Sequence, residues 1–210
     1  MTTALSQSTY KISNFMALKN MVLPIDSLPK ELKEFKLLRE SELENSTMAM
    51  HGFPGNNEEI YTKAKRLTGY MREFCSPVMP QHKDGSDILA ATIVHLFENE
   101  DSPHNWMENI FTKQFKDNLG KEINGEQKLV AVEQLEIDDF YDKSVGIRAV
   151  QDGQEGTLST TIIDFCIGRL LGVSFVVTVG DHGRTELTTM LGLELESSIV
   201  KELLEPDSNN

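Results

Sequence analysis

Residues 173–179 read VSFVVTV, and residues 180–185, directly after them, read GDHGRT. The first stretch is apolar at nearly every position and rich in β-branched side chains, which is typical of a strand buried on both faces of a sheet. An apolar series at helical spacing follows: Leu187, Met190, Leu191, Leu195, Ile199 and Leu203. The sequence therefore predicts a buried central strand, a tight glycine-containing connection and a C-terminal helix, which is either continuous or broken near Gly192.

More strands are predicted upstream of this central strand. Residues 144–150 alternate between apolar and polar side chains, as a half-buried strand does. Residues 129–137 are apolar but ambiguous, and their Val and Ile content favours a strand over a helix. Residues 160–170 leave both alternatives open, because Ile162, Ile163 and Cys166 have helical spacing whereas residues 160–165 are rich in β-branched side chains.

The N-terminal part has the pattern of a helical protein. Apolar residues recur at three- and four-residue steps in the stretches 28–38, 58–74, 86–97 and 102–119, and a shorter helix is predicted for residues 14–23. The clearest helix follows Asn56 or Asn57 as its N-cap and has an apolar stripe that includes Leu67 and Met71. Gly120 is well placed to end the last helix in the left-handed conformation.

These elements predict an α+β fold. A helical N-terminal part, residues 1–120, precedes a smaller, acidic, strand-containing part, residues 121–210, which holds the buried central strand. No Pro- or Gly-rich linker separates the two parts, so two small domains and one composite domain both remain open.

The net charge is −13, and −11 of it falls in residues 122–210, where 17 Asp plus Glu stand against 6 Lys plus Arg. An acidic field repels nucleic-acid phosphates and anionic membranes and attracts basic surfaces. The longest nearly apolar run, residues 170–179, is about half of the roughly 20 residues that span a bilayer. The sequence therefore predicts no nucleic-acid and no membrane partner, and it favours another protein, with a basic surface, as the partner.

The cysteines and histidines exclude several kinds of site. Cys75 and Cys166 lie in separate segments, which provides neither a disulfide framework nor a zinc ribbon. The first twenty residues lack the cationic start and apolar stretch of a secretory signal, so a cytoplasmic location is predicted. The five histidines form no metal-ligand spacing, and no metal or cofactor is predicted. A Cys-His pair drawn from Cys75 with His51 or His82 has no supporting sequence signature.

The connection after the central strand is the first candidate site. Glycines between a strand and a helix leave amide groups pointing outward at the positive end of the helix dipole, and an arginine there adds a bidentate donor. The predicted anion-binding residues are Gly180, His182, Gly183, Arg184 and Thr185. Their spacing matches neither a phosphate loop nor a dinucleotide fingerprint, and a plain strand-to-helix turn is the simpler interpretation.

An acidic cluster with two aromatic residues is the second candidate site. Aromatic side chains are favoured at the centres of protein interfaces. The predicted partner-binding residues are Glu133, Glu136, Asp138, Asp139, Phe140, Tyr141 and Asp142. The cluster lacks the alternating ligands and central glycine of a calcium loop. A solvated surface without a partner is the alternative interpretation.

These observations favour a non-catalytic cytosolic protein that binds or regulates another protein through its acidic C-terminal face, as an inhibitor, immunity factor, adaptor or chaperone does. The first alternative is an enzyme or ligand-binding protein that uses the anion site after the central strand, with His182 as acid or base. The second alternative is a nucleic-acid mimic whose acidic part occupies the basic groove of a DNA-binding protein.

Overall fold

The centre of the molecule is one antiparallel sheet of seven strands. The computed structural model describes residues 2–12, 15–77, 83–123, 127–154 and 156–204. The strands are β1 Lys36–Glu42, β2 Arg66–Cys75, β3 Asp87–Phe97, β4 Lys128–Leu135, β5 Ser144–Gly153, β6 Gly156–Ile167 and β7 Leu170–Val179. Their order across the sheet is β1-β2-β3-β7-β6-β5-β4.

Mostly short helices surround the sheet. The α-helices are α1 Thr2–Thr9, α2 Phe15–Met21, α3 Asn45–His51, α4 Glu58–Lys63, α5 Asp101–Asn105, α6 Thr112–Asn118 and α7 Thr185–Leu204. A π-helical turn, Trp106–Phe111, joins α5 to α6, and two 3₁₀ turns, Ile25–Ser27 and Lys30–Leu32, follow α2. Among the described residues, no helix has both the length and the apolar content needed to cross a membrane.

Two meanders make up the sheet. β1, β2 and β3 pair in chain order, and so do β4, β5, β6 and β7. β3 and β7 join the two meanders, with Ile93 opposite Val173 and His95 opposite Leu171. The strand predicted at residues 173–179 is confirmed as part of β7, which lies in the middle of the sheet.

The predicted fold class, α+β with a helical N-terminal part, is wrong. The sheet dominates the molecule, and three of its strands come from residues before Gly120. Of the helix predicted at residues 58–74 only α4 is helical, and the helix predicted at residues 86–97 is β3. Central strands are apolar on both faces, so apolar residues occur at helical steps as well as at every second position. Residues 28–38 form a 3₁₀ turn and the start of β1 instead of a helix.

Several individual predictions are confirmed. Most of residues 129–137 lie in β4 and residues 144–150 lie in β5, as predicted. Residues 160–165, for which the sequence left helix and strand open, lie in β6. The predicted C-terminal helix is α7, and it runs through Gly192 without a break. Gly120 has a φ of +82° after α6, and the Asn57 side chain accepts a hydrogen bond from the Ile60 amide at the start of α4.

Helices cover both faces of the sheet. On one face, α2 and α7 pack on a core that includes Phe74, Val94 and Phe165. On the opposite face, Trp106 and Met107 of the π-helical turn pack in a second core. A Cβ at Gly172 of β7 would collide with the Phe165 ring, so only glycine leaves room for that ring.

Phe165 and Leu67 differ in burial, although the sequence pattern does not distinguish them. Phe165 is fully buried, whereas Leu67 is 46% exposed. Phe165→Ala should lower the free energy of unfolding by about 3–5 kcal/mol, the usual result of deleting a core aromatic. Leu67→Ala should change it by less than about 0.5 kcal/mol. Urea denaturation of both variants measures these values, and a large loss for Leu67→Ala would contradict its place on the surface.

Candidate functional site

The acidic loop, residues 136–142, connects β4 to β5. Glu136, Asp138 and Asp139 are exposed, and none of them forms an ion pair with another described residue. Tyr141 is 50% exposed beside them. The structure therefore gathers three available carboxylates and an aromatic side chain on one loop.

Two buried side chains anchor the acidic loop to the body of the protein. Ile137 is 8% exposed, and its carbonyl accepts a hydrogen bond from the Ser144 hydroxyl at 2.8 Å. Phe140 is also 8% exposed and stacks on Phe165, with ring centroids 4.6 Å apart. The loop is therefore held at two points, and its acidic residues alternate with these anchors.

Each anchor lies against a glycine. A Cβ at Gly146 of β5 would lie 2.8 Å from the Ile137 side chain, and a Cβ at Gly192 of α7 would lie 2.7 Å from the Phe140 ring. Both distances are shorter than packed side chains tolerate, so a larger residue at either position would displace its anchor. The two glycines therefore fix the conformation in which the acidic loop is presented.

The remaining residues of the predicted acidic cluster have partners. Glu133 lies on β4, where its carboxylate accepts a hydrogen bond from Arg148 at 2.9 Å. Asp142 lies 3.6 Å from the Nε2 atom of His104. Lys143, directly after the loop, pairs with Glu108.

Sequence reasoning missed a further acidic residue at this loop. Glu196 of α7 accepts a hydrogen bond from the Tyr141 amide at 3.0 Å. Burial raises the pKa of Glu196, and this hydrogen bond partly opposes the rise. Glu196 is far from the cluster along the chain, and only the packing of α7 against the acidic loop brings it there.

The predicted anion loop, residues 180–185, lies between β7 and α7. Three of its amides are already used within the protein: Gly180 donates to the Thr157 carbonyl at 2.8 Å, His182 donates to the Ser159 hydroxyl at 3.1 Å and Arg184 donates to the Thr161 hydroxyl at 3.0 Å. Gly180 has a φ of +88°, which favours glycine. Thr185 is the first residue of α7.

Carboxylates lie beside the Arg184 and His182 side chains of this loop. The Arg184 Nε atom donates to Asp87 at 2.8 Å, and the Nε2 atom of His182 lies 2.9 Å from Asp84. Arg148 pairs with Asp181 as well as with Glu133, so it connects the anion loop to β4. Sequence reasoning missed Asp84 and Asp87, whose only local signal is a turn around Gly85 just before β3.

His95 is a buried residue of β3. Its Nδ1 atom accepts a hydrogen bond from Arg66 at 3.2 Å, and burial together with the nearby guanidinium lowers the pKa of His95 well below its usual value. Burial also lowers the pKa of Arg66 to about 10. Cys75 is half-buried and His51 is exposed, whereas His82 lies outside the described residues. Within the described part of the chain, no three His, Cys, Asp or Glu side chains are grouped as metal ligands.

Asp164 of β6 is a buried carboxyl group without a partner. It is 1% exposed, lies between Val145 and Val173 on the neighbouring strands, and neither of its carboxyl oxygens has a hydrogen-bond partner among the described residues. Burial raises the pKa of Asp164 well above its usual value. Burial without a partner therefore favours the neutral acid over the carboxylate at this position.

The architecture defines a sheet-dominated domain in which helices pack on both faces of one antiparallel sheet. In this fold the chain is similar to the extracellular domain of PknH from Mycobacterium tuberculosis, with a TM-score of 0.60, 10% sequence identity, and coverage of 90% of this chain and 98% of that domain. It also matches an uncharacterized protein (Rv0999 ortholog) from Mycobacterium smegmatis, with a TM-score of 0.47, 8% identity, and coverage of 91% and 99%. No family model and no curated protein sequence matches the chain. At 10% identity the likeness to the PknH domain shows the fold alone.

Asp164→Asn should stabilise the protein at neutral pH. The unfolded carboxyl loses its proton near pH 4, whereas the folded one keeps its proton to a higher pH, so the free energy of unfolding falls as pH rises above about 4. The amide does not titrate, so the stability of the variant relative to the wild type should increase steadily as pH rises from about 3 to about 8. Urea denaturation from pH 3 to pH 8 measures this difference. Exposed Asp138→Asn is the control, and a pH-independent difference for Asp164→Asn would contradict the neutral acid.

Anion binding at residues 180–185 stays a prediction, and Asp87 provides its test. An anion competes with Asp87 for the Arg184 guanidinium, so Asp87→Asn should increase the stabilisation that sulfate gives. At equal ionic strength, we expect sulfate to raise the Tm more than chloride does. This extra increase in Tm should be larger in Asp87→Asn than in the wild type and should be absent in Arg184→Ala. Sulfate also stabilises proteins by exclusion from their surface, so an increment that survives in Arg184→Ala is not site binding.

Proposed function

We propose that the chain is a non-catalytic binding domain that docks a protein partner with a basic surface on the acidic loop. The observation that carries this proposal is the combination of three exposed carboxylates, Glu136, Asp138 and Asp139, which have no ion pair among the described residues, with a backbone fixed by the buried anchors Ile137 and Phe140. Tyr141 adds exposed aromatic surface of the kind that is enriched at protein interfaces.

Anchoring of the loop favours binding. A segment that is already ordered loses less conformational entropy when its partner arrives, which leaves more of the interaction energy for affinity. Carboxylates without an internal partner are free to form charge-assisted hydrogen bonds with Lys or Arg. The net charge of −11 in residues 122–210 would attract a basic protein over a longer range and speed its association.

In this proposal the chain binds or regulates another protein without chemistry of its own, as an inhibitor, immunity factor, adaptor or chaperone does. We propose that the chain is located in the cytoplasm. Its two free cysteines, Cys75 and Cys166, which lie in separate segments of the chain, support this location. The PknH domain that shares the fold is extracellular by its name, so the fold by itself is compatible with either compartment.

The test compares two variants with the same change in charge. Glu136→Gln, Asp138→Asn and Asp139→Asn are combined in the loop variant, and Glu31→Gln, Glu34→Gln and Glu98→Gln, which are also exposed, are combined in the control variant. Immobilised wild type should capture a basic protein from the native cell lysate at about 0.05 M salt and release most of it at about 0.3 M, because salt screens surface charges. The control variant should capture the same protein, and the loop variant should not.

Calorimetry with the purified partner at low salt then gives the affinities. We expect the loop variant to bind at least tenfold more weakly than the control variant, with an unchanged or slightly higher Tm because like charges have been removed. Equal affinities of the two variants would overturn the acidic loop as the docking surface. A loop variant with a lowered Tm would show instead that these carboxylates stabilise the fold.

A further inference from the structure

An open cavity of about 700 Å³ lies between α2, the turn after it and α7. Its volume is within the range of about 300–1,000 Å³ that is common for small-molecule sites. Leu23 and Arg72 contribute to its walls from the turn and from β2, and none of the residues of the acidic loop lines it. The cavity is therefore a separate place on the molecule from the proposed docking surface.

A fixed polar network supports one side of the cavity. Glu40 of β1 accepts hydrogen bonds from Lys19 at 3.0 Å and from Arg72 at 2.7 Å, and Arg72 also donates to the Val22 carbonyl at 2.9 Å. These two cations lower the pKa of Glu40. Lys19 and Arg72 are thereby held in place at the cavity surface.

The opposite wall is a polar stripe on α7. Its members follow each other at steps of three and one residues, which places them on one helix face: Glu194, Ser197, Ser198, Lys201 and Glu202. The core face of the same helix holds Leu191, Leu195 and Ile199. An amphipathic helix usually presents such a stripe to open solvent, but here the stripe faces a cavity.

Two charged members of this stripe have neither an ion pair nor a hydrogen-bond partner among the described residues. Glu202 accepts a hydrogen bond from Asn20 at 3.3 Å, whereas Glu194 and Lys201 are exposed and form no ion pair within the described part of the chain. Seven residues separate Glu194 from Lys201, which is about 10 Å along a helix. The cavity wall thus offers one carboxylate and one ammonium group, with the hydroxyls of Ser197 and Ser198 between them.

The charge balance restricts the class of ligand. Three cations and three carboxylates line the cavity or pair with its lining residues: Lys19, Arg72, Lys201, Glu40, Glu194 and Glu202. A ligand with a large net charge gains little from such a balanced site. A ligand with one positive and one negative end gains from both unpaired groups.

We infer that this cavity binds a small zwitterion of the dipeptide class. Consecutive Cα atoms are about 3.8 Å apart, so the two charged ends of a dipeptide are roughly 6 Å apart. A hydrogen bond of about 3 Å at each end extends this to roughly 12 Å, which is comparable with the roughly 10 Å of helix between Glu194 and Lys201. The ligand ammonium pairs with Glu194, its carboxylate pairs with Lys201, and its amide lies at the Ser197 and Ser198 hydroxyls.

The experiment is an NMR titration of ¹⁵N-labelled protein at low salt with L-alanyl-L-alanine. N-acetyl-alanyl-alanine, which lacks the ammonium, and alanyl-alanine amide, which lacks the carboxylate, are the comparison probes. For a ligand of this size we expect a Kd on the order of 1 mM, with shifts centred on residues 194–202, and binding of each comparison probe about tenfold weaker.

Single substitutions then assign each charged end. Lys201→Gln should bind alanyl-alanine and its amide equally, while it still prefers alanyl-alanine to the acetylated probe. Glu194→Gln should bind alanyl-alanine and the acetylated probe equally, while it still prefers alanyl-alanine to its amide. Lys33→Gln and Glu34→Gln, which alter exposed charges outside the cavity, should match the wild type.

The inference would be overturned if residues 194–202 showed no saturable chemical-shift changes. It would also be overturned if either variant lost the same factor of affinity for all three probes. Neither result bears on the acidic loop, because no residue replaced in the partner-capture experiment lines this cavity. Each of the two proposals can therefore be refuted without affecting the other.

Discussion

The pairing of β3 with β7 is the constraint on which the rest of the structure depends. It joins two meanders that are each assembled from strands adjacent in the chain, and it fixes which strands lie in the middle of the sheet. Because β7 leads through residues 180–184 directly into α7, the pairing also fixes where that helix lies. α7 in turn supports both proposed surfaces: Gly192 accommodates Phe140 of the acidic loop, and Lys201 belongs to the wall of the cavity.

The sequence predicts most strands of the second meander, β4 to β7, but it does not predict the strands of the first meander, β1 to β3. In residues 144–150 and 173–179, β-branched side chains and turn signals agree with each other, and these stretches are strands. In β3, which reads DILAATIVHLF, the apolar residues fit a helical stripe as well as a central strand. The ambiguity is physical, because a strand covered on both faces by helices needs no polar alternation.

Some features of the candidate sites can be predicted from neighbouring residues, whereas others depend on residues far along the chain. Charge alone predicts that Glu136, Asp138 and Asp139 are exposed, and they are. Burial of Phe140 cannot be predicted from its acidic neighbours, because the space for its ring depends on Gly192, far along the chain. In the same way, the carboxylates that pair with residues 182 and 184 come from the turn before β3 and from the first residue of β3, which only the completed sheet brings next to them.

The β3–β7 pairing has a consequence for how the chain is made. During synthesis β3 emerges with its partner β2, while β7 is still to come, so one apolar edge of the first meander has no native partner for the whole of that interval. Contacts so distant in sequence slow folding, and an unpaired apolar edge is a template for association with other chains. The nascent protein is therefore most vulnerable to aggregation between the completion of residue 97 and the arrival of residue 170. Any truncation within that window leaves the edge open permanently.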